Sequence, residues 1–146
     1  MSMPWRRTLA IYLAYRVARG HTDCPATEAA REAAEVWSRT AGRSLPAELV
    51  ELWRVVAGVD FNGTVLFGAV ERPEPGYLAG LVETNMLLEP PAPHVHIGSY
   101  GDELLSWNST DGSYAMVDRV SDVSMPAHDS WEELVEEHLG RHLVKW

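Results

Sequence analysis

The sequence predicts an α+β domain with N-terminal helices, a twisted, mostly antiparallel (mixed) β-sheet and a C-terminal helix. Three observations predict it. Apolar residues recur at helical spacing up to about residue 56. The chain then breaks into short segments of period two, separated by Asn62-Gly63, Gly101-Asp102 and Asp111-Gly112. A helical period returns at the end. Helices, then strands, then a helix is the order of an α+β domain, not the alternation that builds a parallel sheet.

Residues 4–19 read as a first helix, with Pro4 suited to its first turn and Trp5, Leu9, Tyr12, Leu13 and Val17 at helical spacing. Gly20 ends it. Residues 25–41 read as a second helix that Pro25 opens and Gly42 closes. Ala30, Ala33, Ala34 and Trp37 line its apolar face. Leu45-Pro46 leads into a third, whose stripe Leu49, Leu52, Trp53 and Val56 is expected in the core. Thr64–Val70 reads as a strand bounded by Asn62-Gly63, and residues 71–77 as a loop carrying Pro73, Pro75 and Gly76. Residues 78–88 are ambiguous, with a short helix as one reading, and Pro90, Pro91 and Pro93 impose extended backbone.

A β-meander is expected next. His94–Ser99, Glu103–Asn108 and Ser113–Arg119 form its strands, and Asp122–Met125 is a candidate fourth. The last helix is expected over about 131–145. Ser130 and Glu133 have the spacing of a capping box, and Trp131, Leu134, Val135, His138, Leu139 and His142 fall on one stripe.

The 146 residues fit one domain. Residues 1–43 read as a helical extension and residues 44–146 as the core. The formal net charge of −9 is uneven. Seven arginines face four acids in residues 1–43, whereas five basic residues face seventeen acids in residues 44–146. Such a field disfavours nucleic acid and membrane surfaces and attracts basic partners. Arg16 and Arg19 interrupt the first apolar stretch, so no export signal is expected. The single cysteine, Cys24, makes no internal disulfide, and a cytoplasmic setting is expected.

Few residues suggest chemistry. His138 and His142 are four apart on a helix but lack the zincin glutamate, and both lie on the apolar stripe. His94 and His96 share a strand face and are expected to meet solvent, with His128 as a conceivable third ligand. Cys24 precedes Pro25 at an expected helix start, without an assignable base. No phosphate-binding loop or nucleophile elbow is present. No catalytic residue, metal site or cofactor is expected.

Two blocks resemble the SUKH superfamily, which includes the Smi/Knr cell-wall regulators and many bacterial immunity proteins. The first runs from Leu45-Pro46 through Leu52-Trp53 and Gly58 to Asn62-Gly63. The second runs through Ile97-Gly98, Gly101-Asp102, Trp107-Asn108, Asp111-Gly112, Tyr114, Asp118-Arg119 and Ser130-Trp131-Glu132-Glu133-Leu134. Asn85 falls where many members carry an asparagine. The order is similar to that of the YrhA-like branch. Val59-Asp60-Phe61 is a longer connection than in many members, and the two N-terminal helices extend beyond the usual core.

The resemblance implies a non-catalytic binding role, with immunity to a basic toxin domain as the leading expectation. A housekeeping regulatory module is the first alternative, and a small metal-dependent hydrolase using the histidines is the second. Glu71, Glu74, Glu83, Tyr100, Asp102, Glu103 and Trp107 are the candidate partner-binding residues. Their acids fall in or near expected loops, and Tyr100 or Trp107 would be an aromatic anchor.

Overall fold

In α1 (Trp5–Ala18), the residues buried are Trp5, Thr8, Leu9 and Tyr12; of the expected stripe, Leu13 is half-buried and Val17, in the last turn, is exposed. The computed structural model describes residues 4–73 and 77–143. α2 (Glu28–Ala41) starts three residues later than Pro25 suggests, because Thr27 caps it: its Oγ1 accepts from the Ala30 N–H at 3.1 Å. Cys24 is therefore not at a helix start, and its thiol is free and exposed. Gly42 ends α2 in the left-handed conformation (φ 69°) that glycine adopts without strain. α3 (Ala47–Trp53) buries Leu49, Leu52 and Trp53.

β1 (Val59–Phe61) is a strand that sequence reasoning read as a connection. Asn62 and Gly63 both have positive φ (51° and 84°), the two-residue turn whose twist suits a hairpin. They fold β1 back onto β2 (Thr64–Leu66), with Phe61 opposite Thr64. β2 is shorter than the expected Thr64–Val70. Its ladder ends after the Phe67 N–H bonds the Ile97 carbonyl, since the Phe67 carbonyl accepts the Trp53 indole N–H at 3.0 Å. The ambiguous stretch contains a helix, α4 (Leu81–Leu88).

β3 (His94–Tyr100), β4 (Glu103–Asn108), β5 (Tyr114–Asp118) and β6 (Ser124–His128) complete a six-stranded sheet in chain order. All neighbouring strands pair antiparallel. The mixed sheet of the sequence reading is thus an antiparallel one, with a parallel bridge between Gly68 and Gly80 outside the named strands. Ile97-Gly98 has a steric reason. A Cβ on Gly98 would lie 2.3 Å from the Val65 carbonyl oxygen, so β2 approaches only a glycine this closely.

The described residues end in α5 (Trp131–Val135), a π-helical turn (Glu136–Gly140) and α6 (Arg141–Leu143), and the last two positions of the helix expected to 145 lie outside them. A π turn shifts the following residues around the axis. Leu143 consequently takes the buried stripe position expected of His142, which is exposed. The cap at Ser130 is present: its Oγ accepts from the Glu133 N–H at 3.2 Å. Ser130→Ala should lower stability by about 0.5–2 kcal/mol. A urea midpoint equal to that of the parent protein would show that water replaces the hydroxyl.

α1 and α2 do not stand outside the core. Trp5, Leu9, Tyr12 and Ala34 join Trp53, Ile97, Leu105, Tyr114 and Trp131 in one buried cluster. The Trp5 ring meets Trp131 edge-on at 5.7 Å, and the Trp5 N–H donates to Glu132 Oε2 at 2.8 Å. Among the described residues, no helix is long and apolar enough to cross a membrane.

Candidate functional site

In β3, Val95 and Ile97 are fully buried, as alternation predicts, but His96 is also only 5% exposed. The expectation that His94 and His96 meet solvent is corrected: His94 is half-buried and His96 buried. The reason lies at the strand edge. β2 pairs only with Leu66 opposite Gly98, Val65 opposite Ser99 and Thr64 opposite Tyr100. Beyond it, the Asn85 side chain from α4 does the work of a strand. Asn85 Oδ1 accepts the His96 N–H, and Asn85 Nδ2 donates to the His96 and Leu81 carbonyls, all at 2.8 Å. This clamp seats α4 beside β3.

α4 and the β5–β6 hairpin then flank an open groove on one side of the sheet. One part is a cavity of about 350 Å³, lined by His94, His96, Leu104, Ser106, Val117 and Ser124 from the strands. Leu88, Glu89, Pro90 and Pro91 close it on one side, Arg119 and Asp122 on the other. A second cavity of about 380 Å³ continues over Asp60, Val65, Phe67, Ser99, Tyr77 and Leu87, and shares Leu88 and Arg119 with the first. The groove has apolar lips. Of its lining residues Leu87 is 81% exposed and Tyr77 66%; Met86, Val120 and Val123, next to lining residues in the chain, are exposed as well. Three consecutive apolar residues on the outside of a helix, Met86-Leu87-Leu88, are unusual for a surface that meets only water.

The groove's polar groups are unevenly charged. Asp60, Glu89 and Asp122 line it together with Arg119, and the Arg43 guanidinium donates to the Pro90 and His94 carbonyls at its edge. Burial pushes the His96 imidazole down to about 4, and the neighbouring His94 adds to the effect. The His96 side chain is therefore uncharged at neutral pH.

A second histidine cluster lies elsewhere. His128 Nε2 and His138 Nε2 are 3.2 Å apart, and His138 Nδ1 is 3.1 Å from Thr64 Oγ1. Two sets of tautomers satisfy both contacts: Thr64 O–H donates to His138 Nδ1 while His138 Nε2–H donates to His128 Nε2, or both bonds run in the opposite direction. His128 Nδ1 then faces Glu137 Oε2 at 3.4 Å, within ion-pair reach but outside hydrogen-bond geometry. The Tyr100 ring covers His138 edge-on at 4.9 Å. Thr64 is fully buried, so this chain of groups offers no hydroxyl to a substrate. Its visible effect is to pin the π turn to β2. Burial, followed by the nearby His128, lowers the His138 pKa to about 4. Both His96 and His138 therefore favour the fold above the unfolded histidine pKa of about 6.5, and that contribution is lost as pH falls from there toward 4. No three His, Cys, Asp or Glu side chains among the described residues gather as metal ligands. His128 pairs with His138, not with His94 and His96, and His142 points away from this pair into a cleft with Tyr15, Arg19 and His21.

The candidate partner-binding residues fall into separate places. Glu71 and Glu83 meet at the start of α4, where Glu83 Oε1 accepts the Glu71 N–H at 2.9 Å. Tyr100, Asp102 and Glu103 are exposed at the β3–β4 turn. Trp107 is half-buried, its indole N–H donating to the Ser44 carbonyl at 3.1 Å and its ring packed on Tyr114. Glu74 lies outside the described residues. Sequence reasoning missed the groove residues Leu87, Leu88, Glu89, Arg119 and Asp122. The one available signal was the apolar run Met86-Leu87-Leu88, on a helix whose period was too weak to orient it. Comparison of the chain with protein-family models, curated proteins and solved structures finds no match.

Proposed function

We propose that this chain is a non-catalytic, SUKH-like binding domain that docks a basic protein partner in the groove between α4 and the β5–β6 hairpin. Immunity to a toxin domain in the cytoplasm is the role that best suits it. The observation that carries the reading is the groove itself: an open sheet face with apolar lips and an excess of carboxylates. Exposed apolar patches rimmed by polar residues mark interaction sites, and a few buried anchors with complementary charge suffice for tight inhibition. The SUKH-like order of motifs points to the same class, and a regulatory partner would use the same surface.

The test is affinity capture from the source cell, followed by kinetics with the captured protein. Leu87→Glu changes a side chain already in water, so the fold should persist while capture falls at least about tenfold, the loss expected of a modest interface anchor. The association rate should also fall as salt rises from about 50 to about 500 mM, because steering is screened. If Leu87→Glu binds like the parent protein and Asp102→Lys/Glu103→Lys does not, the docking surface is the β3–β4 turn.

A further inference from the structure

The cavity beside β3 carries a buried polar group without a partner. His96 lines it, and His96 Nδ1 makes no hydrogen bond. It is one of eight buried, unpartnered side-chain atoms among the described residues, and His96 is the one of these side chains that lines this cavity. The strand does not supply a partner, since the His96 backbone groups already go to Asn85. On the floor beside it, Ser106 is fully buried, and its Oγ reaches only the Val95 carbonyl at a long 3.4 Å. The walls formed by Leu88, Pro91, Leu104 and Val117 are apolar. At the rim, Glu89 and Asp122 approach from different elements, and both have positive φ (46° and 60°). Non-glycine residues in this conformation are uncommon and collect at ligand clamps.

We infer that this cavity receives an alkyl cation, the side chain of an arginine or lysine from the partner that docks on the groove. The inference rests on the docking reading and specifies its anchor. The methylene stem of such a side chain suits apolar walls while its head needs acceptors. The rim carboxylates Glu89 and Asp122 stand against Arg119, the Arg43 guanidinium is held by the Pro90 and His94 carbonyls, and the chain's net charge of −9 supplies the attraction. A carboxylate or phosphate would meet that same field as repulsion. Burial keeps the His96 imidazole neutral near pH 7, so His96 adds no competing charge.

The test uses the full chain and three small probes of similar shape: n-butylguanidinium, n-pentanol and pentanoate. Binding is read from NMR shifts of the Ser106, Val117 and Ser124 amides and the His96 ring. Probes of this size bind in about the millimolar range. The guanidinium should give saturable shifts at these positions, about tenfold tighter than the alcohol, with pentanoate weaker still. Glu89→Gln/Asp122→Asn should bring the guanidinium to the level of the alcohol, and asparagine tolerates the backbone of position 122. Equal or tighter binding of pentanoate, no saturable shift with any probe, or a double variant that binds the guanidinium unchanged would overturn the inference. The two readings fail separately. Partner capture without guanidinium binding removes the cation anchor and leaves the groove. Guanidinium binding with capture insensitive to Leu87→Glu removes the groove as the docking surface.

Discussion

Asn85→Leu should destabilise the protein by about 2–6 kcal/mol. Asn85 is 3% exposed and holds three bonds of 2.8 Å, two of them to the backbone of His96. Leucine keeps the branching at Cγ but is bulkier, so overpacking adds to the loss of hydrogen bonding. The His96 N–H and carbonyl would be left buried without partners, each costing about 1–3 kcal/mol. A domain of this kind has about 5–15 kcal/mol in total, so the variant should melt early or fail to accumulate. Asn85→Asp should not rescue it. The carboxylate still accepts the His96 N–H but faces two carbonyl oxygens where the amide donated. If expression of Asn85→Leu is too low for equilibrium work, hydrogen exchange on the milder Asn85→Ser should show protection lost first at His96. A urea midpoint for Asn85→Leu within error of the parent protein would mean that water replaces the side chain, and α4 would then be held by its packing alone.

Trp53→Ala should cost at least about 3–5 kcal/mol, the usual range for emptying a buried indole site. Trp53 is fully buried, and its N–H occupies the carbonyl of Phe67 at the point where β2 leaves the sheet. Trp53→Phe separates the two roles. It keeps most of the ring and removes the donor, so its cost should be the smaller, about 1–3 kcal/mol for the orphaned carbonyl. Both are measured as shifts in denaturant midpoint at constant m-value. Near-identical costs for the two variants would show that the hydrogen bond carries the site. A cost for Trp53→Ala below about 0.5 kcal/mol, typical of surface changes, would place α3 outside the core.

The groove was largely illegible in the sequence, for reasons particular to its residues. Glu89 is the cap of α4, which sequence reads as a connection, and Asp122, read as the start of a strand, lies instead in the β5–β6 turn with positive φ, two residues before β6 begins. Arg119 reads as the end of a strand. They become neighbours only because β3, β4 and β5 set the spacing between the α4–β3 loop and the β5–β6 turn. Exposed Leu87 and Leu88 contradict the rule that places apolar residues inside, and a pattern that breaks a local rule is often functional. Asn85 was noticed only through the SUKH resemblance, which named a position and no role. Its function as a substitute strand follows from how short β2 is.

What the sequence determined by itself was whatever depends on neighbours a few residues away. The α+β class, the stripes Trp5-Leu9-Tyr12 and Leu49-Leu52-Trp53, the Ser130 cap and the turns at Asn62-Gly63 and Asp111-Gly112 all rest on local periodicity and backbone preference. Only the tertiary structure decided where those elements end and what they face. Val59–Phe61 is a strand because β2 lies beside it. His96 is buried because an asparagine eleven residues earlier closes its edge. His142 is exposed and Leu143 buried because a π turn, tied through His138 to Thr64, shifts the final helix around its axis. In each case a polar backbone or imidazole group found its partner across the fold, and that pairing outweighed the local pattern.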